Sequence, residues 1–355
     1  MNDDSLSNEN DVAFILFNKV GNDNLASEKE RRLVKRLNTL ENVADVKISD
    51  LNTLKAAFSA AASDDPYYIS PTYYALTGRR GLYLYKNEDQ DKKPTTFLFC
   101  IHPNIQNTIL AFPPFGHNPA QAINSLVEEL RGTGIRFQLG RVSSNSDLCK
   151  TLINDNDTGF RQKIEDTLDW TYPLHTVNCQ DLTEHKGKNY SRIRQVMNKF
   201  RRSSALTRDI DFSKDHSLID SLSQNWEDNT NHYENYDIKF TEYFQHLVSM
   251  ANNEPALNLR GLIVSIDGVN KGFSIWEPPQ QRHGAANLFA SQVTDFEITN
   301  LATYLTVKSA ERMLEEGTER MCLGGSENIG MDTYKRGFVP EKTLEMQTLE
   351  LDIPE

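Results

Sequence analysis

The sequence predicts an α+β fold made of two tandem domains with a similar order of helices and strands. A chain of 355 residues is longer than one compact core usually holds, so two domains of roughly 150 residues each are expected. With 38% hydrophobic and 9% aromatic residues, the chain can fill two such cores. Helical and strand-like patterns also alternate along most of its length, as they do in layered α+β domains.

The first half of the chain has the pattern of a layer domain that ends near residue 180. We expect a flexible segment over residues 1–28 with a short strand at DVAFILF, and then a helix at DLNTLKAAFSAAAS that Asp50 caps. Pro before and Gly after an apolar repeat predict a second helix at PAQAINSLVEELRGTG. The other predicted elements are strands at GLYLY, TTFLFCIH, NTILAF, IRFQLGRV and WTYPLHTVN and a short helix at SDLCKTLI.

The second half begins with two amphipathic helices, HSLIDSLSQNWEDN and KFTEYFQHLVSMAN, and then a hairpin that turns at Asp267-Gly268. The later elements are a strand at AANLFASQV, a helix at ITNLATYLTVKSAERMLEEG that Gly317 ends, a strand at RMCLGG, a helix at NIGMDTYKRG and a closing strand at KTLEMQTLEL. This order is that of a GNAT acyltransferase domain, and the first half repeats it loosely. We therefore predict GNAT-like domains over residues 29–180 and 210–355.

A basic segment over residues 181–209 is predicted to form a long helix that joins the two domains. Eight basic residues and no acidic residue lie between Lys186 and Arg208, although the whole chain has a net charge of -12. Apolar side chains recur on one helical face, at Tyr190, Ile193, Val196, Met197 and Phe200. Charge of a single sign favours an anion-binding surface over a solvated connecting helix, with tRNA phosphates, anionic lipid headgroups or the phosphates of coenzyme A as candidate ligands. The candidate binding residues are Lys188, Arg192, Arg194, Asn198, Arg201 and Arg202.

Residues 181–200, DLTEHKGKNYSRIRQVMNKF, resemble a motif of the phosphatidylglycerol lysyltransferase C-terminal domain family. Members of that family have tandem GNAT-type domains related to the FemABX peptidoglycan aminoacyltransferases. GFSIWEP and NIGMDTYKRGFVP are similar to two later segments of the family, which contain a Glu and a Lys that match Glu277 and Lys335. The resemblance implies transfer of an amino acid from aminoacyl-tRNA, as co-substrate, to a lipid headgroup or a small amine or hydroxyl acceptor, with no cofactor.

Each candidate site residue also has a structural interpretation. Glu277 is either a base or acceptor anchor, or a solvent-facing residue at a strand end. Lys335 either neutralises a phosphate or oxyanion, or is a surface lysine. Ser326 and Asn328 belong to a loop whose free backbone N–H groups could bind an anion, or they cap the following helix. Tyr334 could stack on the terminal adenine of tRNA, although aromatic residues at such spacing usually belong to the core.

Two alternatives to the aminoacyltransferase stay open. An acyl-CoA-dependent N-acyltransferase is one, because the helix that begins near Ile298 would lie where this fold binds pyrophosphate. Its weakness is that SQVTDFEITN lacks a glycine-rich phosphate loop. The other is a non-catalytic module that binds anionic membranes or RNA.

The sequence contains no metal-binding or nucleotide-binding signature, and its four cysteines are isolated. It also lacks a signal peptide and a long apolar run. We therefore expect a cytoplasmic protein without a metal site, with peripheral contact to the inner membrane surface as a further expectation.

Overall fold

The computed structural model describes residues 27–47, 50, 65–88, 93–103, 105–144, 146–154, 159–163, 172–231, 240–294, 298–326 and 328–354. The predicted strand at DVAFILF, nearly all of the predicted N-terminal segment, and the predicted helix at DLNTLKAAFSAAAS after Asp50 lie outside these residues. The described chain divides into two compact units. Unit 1 takes its described residues from Met1–Leu54, Tyr73–Asp166 and Met346–Glu355, and unit 2 from Lys55–Thr72 and Thr167–Glu345.

The described residues form ten α-helices, most of them with the start and stop signals that the sequence contains. Ser27 caps the first helix by accepting a hydrogen bond from the Glu30 backbone N–H at 3.1 Å. The helices are α1 (Glu28–Leu37), α2 (Pro71–Thr77), α3 (Pro119–Glu129), α4 (Asp147–Asn154), α5 (Cys179–Glu184), α6 (Ser191–Arg201), α7 (Phe212–Asn231), α8 (Phe240–Asn253), α9 (Leu301–Glu315) and α10 (Ile329–Arg336).

Fifteen strands are described, and they confirm the predicted alternation of helices and strands. The predicted hairpin is among them, with Asp267 and Gly268 at positive φ in its turn. The strands are β1 (Val43–Asp45), β2 (Leu82–Glu88), β3 (Pro94–Ile101), β4 (Thr108–Ala111), β5 (Phe115–Gly116), β6 (Arg136–Ser143), β7 (Arg161–Gln162), β8 (Leu174–Asn178), β9 (Leu206–Asp209), β10 (Arg260–Ile266), β11 (Val269–Glu277), β12 (Ala285–Val293), β13 (Arg320–Cys322), β14 (Lys342–Leu344) and β15 (Met346–Asp352).

Unit 1 is built on a sheet with the strand order β1-β2-β3-β4-β6-β15-β7, in which β5 also pairs with β3. The pair β4 and β6 is parallel and the other described pairs are antiparallel. Alternate residues of β3 and β6, such as Phe97, Phe99 and Phe137, face one core together with Leu33 of α1 and Leu126 of α3. The helices therefore cover one face of this sheet.

Unit 2 is built on a sheet with the strand order β14-β8-β13-β12-β11-β10-β9. Only β12 and β13 are parallel among its described pairs. The core on one face contains Trp276 of β11 and Met321 of β13 and is closed by Leu182 of α5, Phe200 of α6 and Leu305 of α9. This unit contains every candidate site residue.

Each sheet contains one strand from a distant part of the chain, and this corrects the predicted closing strand. KTLEMQTLEL is two strands: β14 pairs with β8 in unit 2, and β15 pairs with β6 and β7 in unit 1. In unit 1, β15 lies between β6 and β7, and in unit 2, β8 lies between β13 and β14. The final residues thus complete the first sheet and not the second domain, and β8, predicted to end the first domain, lies in unit 2.

The basic segment also differs from the single long connecting helix that was predicted. It consists of α5, a 3-10 turn at Lys188–Tyr190, α6 and β9, and all of these belong to unit 2. His185 adopts a left-handed conformation with φ of 39° and ends α5. The predicted apolar face of α6 is confirmed, because Ile193, Val196, Met197 and Phe200 are buried.

Candidate active site

Glu277, at the end of β11, is fully buried instead of facing solvent. Its Oε1 accepts hydrogen bonds from the Thr72 backbone N–H at 3.2 Å and from Thr72 Oγ1 at 2.5 Å. Asn287 Nδ2 lies 3.5 Å from the other carboxylate oxygen. Burial raises the pKa of Glu277 above its usual value, although hydrogen bonds from Ser70, Thr72 and Asn287 oppose the shift. The carboxyl group therefore holds neighbouring segments of protein in place.

Residues 65–72, called the strap below, run along the ends of β11 and β12. The strap contains a 3-10 helix, Pro66–Ile69, which begins where Asp65 Oδ1 accepts a hydrogen bond from the Tyr67 N–H at 3.0 Å. Asn287 Nδ2 donates to the Pro66 carbonyl at 3.1 Å, so the strap is tied to β12 as well as to Glu277. These contacts fix the position of Tyr67.

Tyr67 lies where the parallel strands β12 and β13 separate. The two strands pair only from Ala285 to Asn287, opposite Arg320–Cys322, and β12 continues to Val293 without this partner. The Tyr67 hydroxyl donates to the Leu288 carbonyl at 3.0 Å, and its ring packs edge-on against Phe289 with centroids 5.5 Å apart. The Tyr67 hydroxyl therefore binds the backbone carbonyl of the first β12 residue that follows the pairing with β13.

Lys335 of α10 lies near the Tyr67 hydroxyl, beside Gly324. Its Nζ donates a hydrogen bond to the Gly325 carbonyl. A Cβ atom on Gly324 would lie 3.2 Å from the Tyr67 hydroxyl oxygen and 3.7 Å from Lys335 Nζ. We call the surroundings of Gly324, with the Tyr67 hydroxyl and Lys335 Nζ, the Gly324 notch. A hydroxyl from the strap and an ammonium from α10 therefore both lie close to this buried glycine.

A buried polar network fixes the helix that carries Lys335. His175 Nε2 of β8 lies 2.6 Å from Asp332 Oδ1, and Arg336 Nε donates to Asp332 Oδ2 at 2.7 Å. Burial lowers the pKa of His175, although Asp332 opposes that shift. Although burial raises the pKa of Asp332, hydrogen bonds from Arg336 and His175 outweigh it and bring that pKa below its usual value. The network joins α10 to the sheet, and no pattern in the sequence indicates it.

The basic segment reaches α10 at one end. A Cβ atom on Gly337, next to the end of α10, would lie 3.9 Å from Arg192 Nη1. Lys188, Arg201 and Arg202 are exposed, as is Arg192. Arg201 and Arg202 lie at the far end of α6, about 16 Å along a helix of this length. Cationic side chains thus extend from α10 along the exposed side of α6.

The remaining candidate residues have mixed positions. Arg194 Nη1 donates to the carbonyls of His185 and Gly187 at 2.5 and 2.6 Å, so it stabilises the turn before α6. Asn198 is exposed on α6. Asn328 Oδ1 accepts from the Met331 N–H at 2.9 Å and caps α10. Asn328 therefore has the structural role that was its alternative interpretation.

Ser326 and Tyr334 both lie in or against the core of unit 2. The buried Ser326 Oγ has no hydrogen-bond partner in the described part of the chain. Tyr334 is half-buried, and its ring packs edge-on against that of Phe338 with centroids 5.1 Å apart. Burial raises the pKa of its hydroxyl. Tyr334 thus contributes to packing. Trp276 of β11 is likewise a core residue.

The described residues contain no group of three His, Cys, Asp or Glu side chains that could hold a metal ion, and none of their helices is long and apolar enough to cross a bilayer.

Comparison with solved structures shows the fold at low sequence identity. A conserved protein of unknown function from Bacteroides thetaiotaomicron aligns with a TM-score of 0.65 and 16% identity, over 87% of this chain and 99% of that one. The C-terminal domain of a putative lysylphosphatidylglycerol synthetase from Agrobacterium fabrum aligns with a TM-score of 0.53 and 16% identity, over 86% of this chain and 92% of that one. A tandem GNAT protein from the clavulanic acid biosynthesis pathway aligns with a TM-score of 0.54 and 11% identity, over 88% of this chain and 98% of that one.

The chain therefore has a tandem GNAT-like α+β fold. No family model and no curated protein matches its sequence. The resemblance noted for residues 181–200 is supported at the level of the fold, through the lysylphosphatidylglycerol synthetase domain.

Proposed function

We propose that this protein is an acyltransferase whose reaction takes place at the Gly324 notch of unit 2. The proposed donor is aminoacyl-tRNA and the acceptor is a lipid headgroup or a small molecule with an amine or hydroxyl group. GNAT-like and lysylphosphatidylglycerol synthetase structures among its neighbours support acyl transfer in general. The donor is inferred from the basic surface of unit 2, and the acceptor from the resemblance of residues 181–200 to the phosphatidylglycerol lysyltransferase family.

The observation that carries this proposal is the continuity between the basic surface and Lys335. Arg192 lies beside the end of α10, and Lys335 is on the same helix. A polyanion bound along α6 could therefore present its end near the notch. A tRNA has this form, because its phosphates lead to a single esterified terminus.

The proposed chemistry uses Lys335 as the positive charge that stabilises the oxyanion. The acceptor atom attacks the carbonyl carbon of the aminoacyl ester and forms a new bond, and the π electron pair of the carbonyl moves to its oxygen. The pair then returns, the bond to the ribose oxygen breaks, and the proton lost by the acceptor is balanced by the proton gained by that oxygen. An ammonium placed at the carbonyl oxygen lowers the barrier because negative charge develops there.

Glu277 takes a positioning role in this proposal. It is fully buried, and its Oε1 accepts two hydrogen bonds from Thr72. It holds the strap, and the strap holds Tyr67 beside the notch.

An acyl-CoA donor is the second candidate, and one observation favours it. Among the described residues, no side chain caps the N-terminus of α9, where Asn300 has a φ of 69°. The first backbone N–H groups of that helix could therefore bind a pyrophosphate.

The deciding experiment incubates the protein with a mixture of charged tRNAs that carry labelled amino acids, together with a cell extract that supplies acceptors. We expect label to move to a product that survives RNase, and RNase added beforehand should abolish the transfer. Transfer only from a labelled acyl-CoA would select the second candidate. The absence of any transfer would leave a non-catalytic module that binds anionic membrane or RNA.

Lys335→Ala should lower the turnover number by about 10-fold to 100-fold, because it removes a charge-assisted contact worth about 1.5–3 kcal/mol. Lys214→Ala is the matched control, since Lys214 is an exposed lysine of unit 2 paired with Asp211. Equal turnover in the two variants would contradict the assignment of Lys335.

A further inference from the structure

We infer that the exposed side of α10 is a membrane-contact surface, at which Ile329 and Met331 insert into the interface of an anionic lipid bilayer. The inference goes beyond the proposed acyl transfer and does not depend on it, because a bilayer can bind here whether or not the protein transfers an acyl group. We call Ile329, Met331, Thr333 and Arg336 the α10 surface.

The first support is that two large apolar side chains of α10 face solvent. Ile329 is 61% exposed and Met331 is 40% exposed, and both belong to the first turn of the helix. The other large apolar side chains that are exposed in the described chain, Ile153, Leu206 and Val269, lie on three different elements. Single exposed apolar side chains are normal on a protein surface, whereas neighbours at one helix end are more typical of a surface that contacts a partner.

The second support is the charge of the residues around them. Thr333 and Arg336 follow Ile329 by four and seven residues, so the three share one side of the helix, and all are exposed. The one acidic residue of α10, Asp332, is buried and bonded to His175 and Arg336. The exposed part of α10 therefore contains apolar, neutral and cationic side chains but no acidic one.

The third support is that this surface continues into the basic segment. Arg192 Nη1 would lie 3.9 Å from a Cβ atom on Gly337, next to the end of α10, and no acidic residue occurs between Lys186 and Arg208. The whole chain has a net charge of -12, so an anionic bilayer repels most of the protein. Contact is favoured where exposed cations adjoin apolar side chains.

The combination of aliphatic and cationic side chains favours a bilayer over a nucleic acid. A bilayer has an apolar layer for the aliphatic side chains next to an anionic headgroup layer for the cations. A nucleic acid offers phosphates to cations and flat bases to aromatic side chains, but it has no such layer for Ile329 and Met331. The cations of α6 stay available for tRNA phosphates, because Arg192 lies at the opposite end of α10, about 12 Å along the helix from Ile329.

The first test measures sedimentation of the protein with vesicles of phosphatidylcholine and phosphatidylserine in equal parts, and with vesicles of phosphatidylcholine alone. Wild-type protein should bind the anionic vesicles several-fold more strongly. Ile329→Ser combined with Met331→Ser should weaken that binding about 10-fold, because two aliphatic side chains no longer enter the apolar layer. Binding of labelled tRNA without lipid should stay at the wild-type level in this variant.

Leu206→Ser combined with Val269→Ser is the matched control, since both residues belong to unit 2 and are 69% and 55% exposed. This control should bind anionic vesicles like wild-type protein. No vesicle binding by wild-type protein, or equal binding by the two double variants, would overturn the inference. A loss of tRNA binding without a loss of vesicle binding in the α10 variant would also overturn it, because the α10 surface would then belong to a nucleic-acid site.

The second test places a fluorescent side chain on the surface itself. In Ile329→Trp, tryptophan emission should shift to shorter wavelength when anionic vesicles are added, and brominated lipids should quench it. Leu206→Trp should show neither change. Equal responses in the two variants would contradict insertion at α10, whereas a response of Ile329→Trp alone would support it.

These measurements involve no turnover, so their failure and that of the proposed function are distinguishable. If label is transferred but vesicles do not bind, the membrane-contact surface is wrong and the proposed function stands. If vesicles bind through α10 but no donor gives transfer, the proposed function is wrong and the membrane-contact surface stands.

Discussion

Reversing the charges of Arg201 and Arg202 to Glu should halve the salt dependence of tRNA binding and leave the fold intact. Both arginines are exposed on unit 2, off the buried face of α6. Together with Lys188 and Arg192 they make four exposed cations that pair with no acidic side chain of the described chain. Arg194 is a poorer choice for this test, because its guanidinium also stabilises the turn at His185 and Gly187.

The expected magnitude follows from counterion release. Each phosphate neutralised by a cation contributes about -0.7 on single strands and about -0.9 on duplex to the slope of log affinity against log salt. Four contacts therefore predict a slope of about -2.8 to -3.6, and the double reversal should reduce it to about -1.4 to -1.8. Affinity should fall most at low salt, where the lost contacts contribute most.

Filter binding of labelled tRNA over a range of salt concentrations measures the slope, and thermal unfolding checks the fold. The matched control reverses Arg32 and Arg131, two exposed arginines of unit 1 that form surface ion pairs with Glu28 and Glu128. It changes the net charge of the protein by the same amount. An equal loss of slope in both double variants would refute a local binding surface, because it would show an effect of total charge alone.

Three further predictions concern stability. Phe200→Ala should lower the free energy of unfolding by about 3–5 kcal/mol, because Phe200 is buried and its ring centroid lies 4.7 Å from that of Tyr304. An unchanged melting temperature would contradict this packing. Glu277→Ala should lower the free energy of unfolding by about 3 kcal/mol, because it leaves the buried Thr72 donors unpaired, and thermal unfolding checks this. It should also lower the turnover number in the label-transfer assay, because the strap is no longer held. Burial, with smaller contributions from Lys163 and Arg80, lowers the pKa of His102 from 6.5 to about 3. Between these two pH values the folded state binds fewer protons than the unfolded state, so the free energy of unfolding falls as the pH falls from 6.5 towards 3. His102→Asn should reduce that loss by up to about 1.4 kcal/mol per pH unit, measured by denaturant titration, and an equally steep loss in the variant would disprove the cause.

Patterns within one segment predicted much of the fold. The 3.6-residue repeat of α6 identified its buried face, including Ile193 and Phe200, because this face depends only on helix geometry. The hairpin turn at Asp267-Gly268 was also predicted correctly, since a two-residue turn needs residues that tolerate positive φ. In both cases the physical cause lies within a few residues of its effect.

The exchange of strands between the two units could not be predicted in this way. KTLEMQTLEL alternates like one strand, and the break between β14 and β15 falls at a single residue, Glu345. A strand shows the same alternation whichever sheet it enters, because alternation reflects one buried face and not the identity of the neighbour. The choice of sheet is a property of the folded units, so β15 was assigned to the wrong one.

The candidate site shows the same limit more sharply. Glu277 comes before the loop residues Pro278 and Pro279, so local reasoning left a solvent-facing residue open, yet it is buried by a partner 205 residues earlier in the chain. Tyr67 carries no motif at all, and its partner Leu288 is 221 residues away. A sequence motif indicates Lys335 and gives no sign of Tyr67, which lies beside the same glycine. Because Glu277 holds the strap and the strap places Tyr67 there, the surroundings of Lys335 depend on residues that only the folded structure brings together.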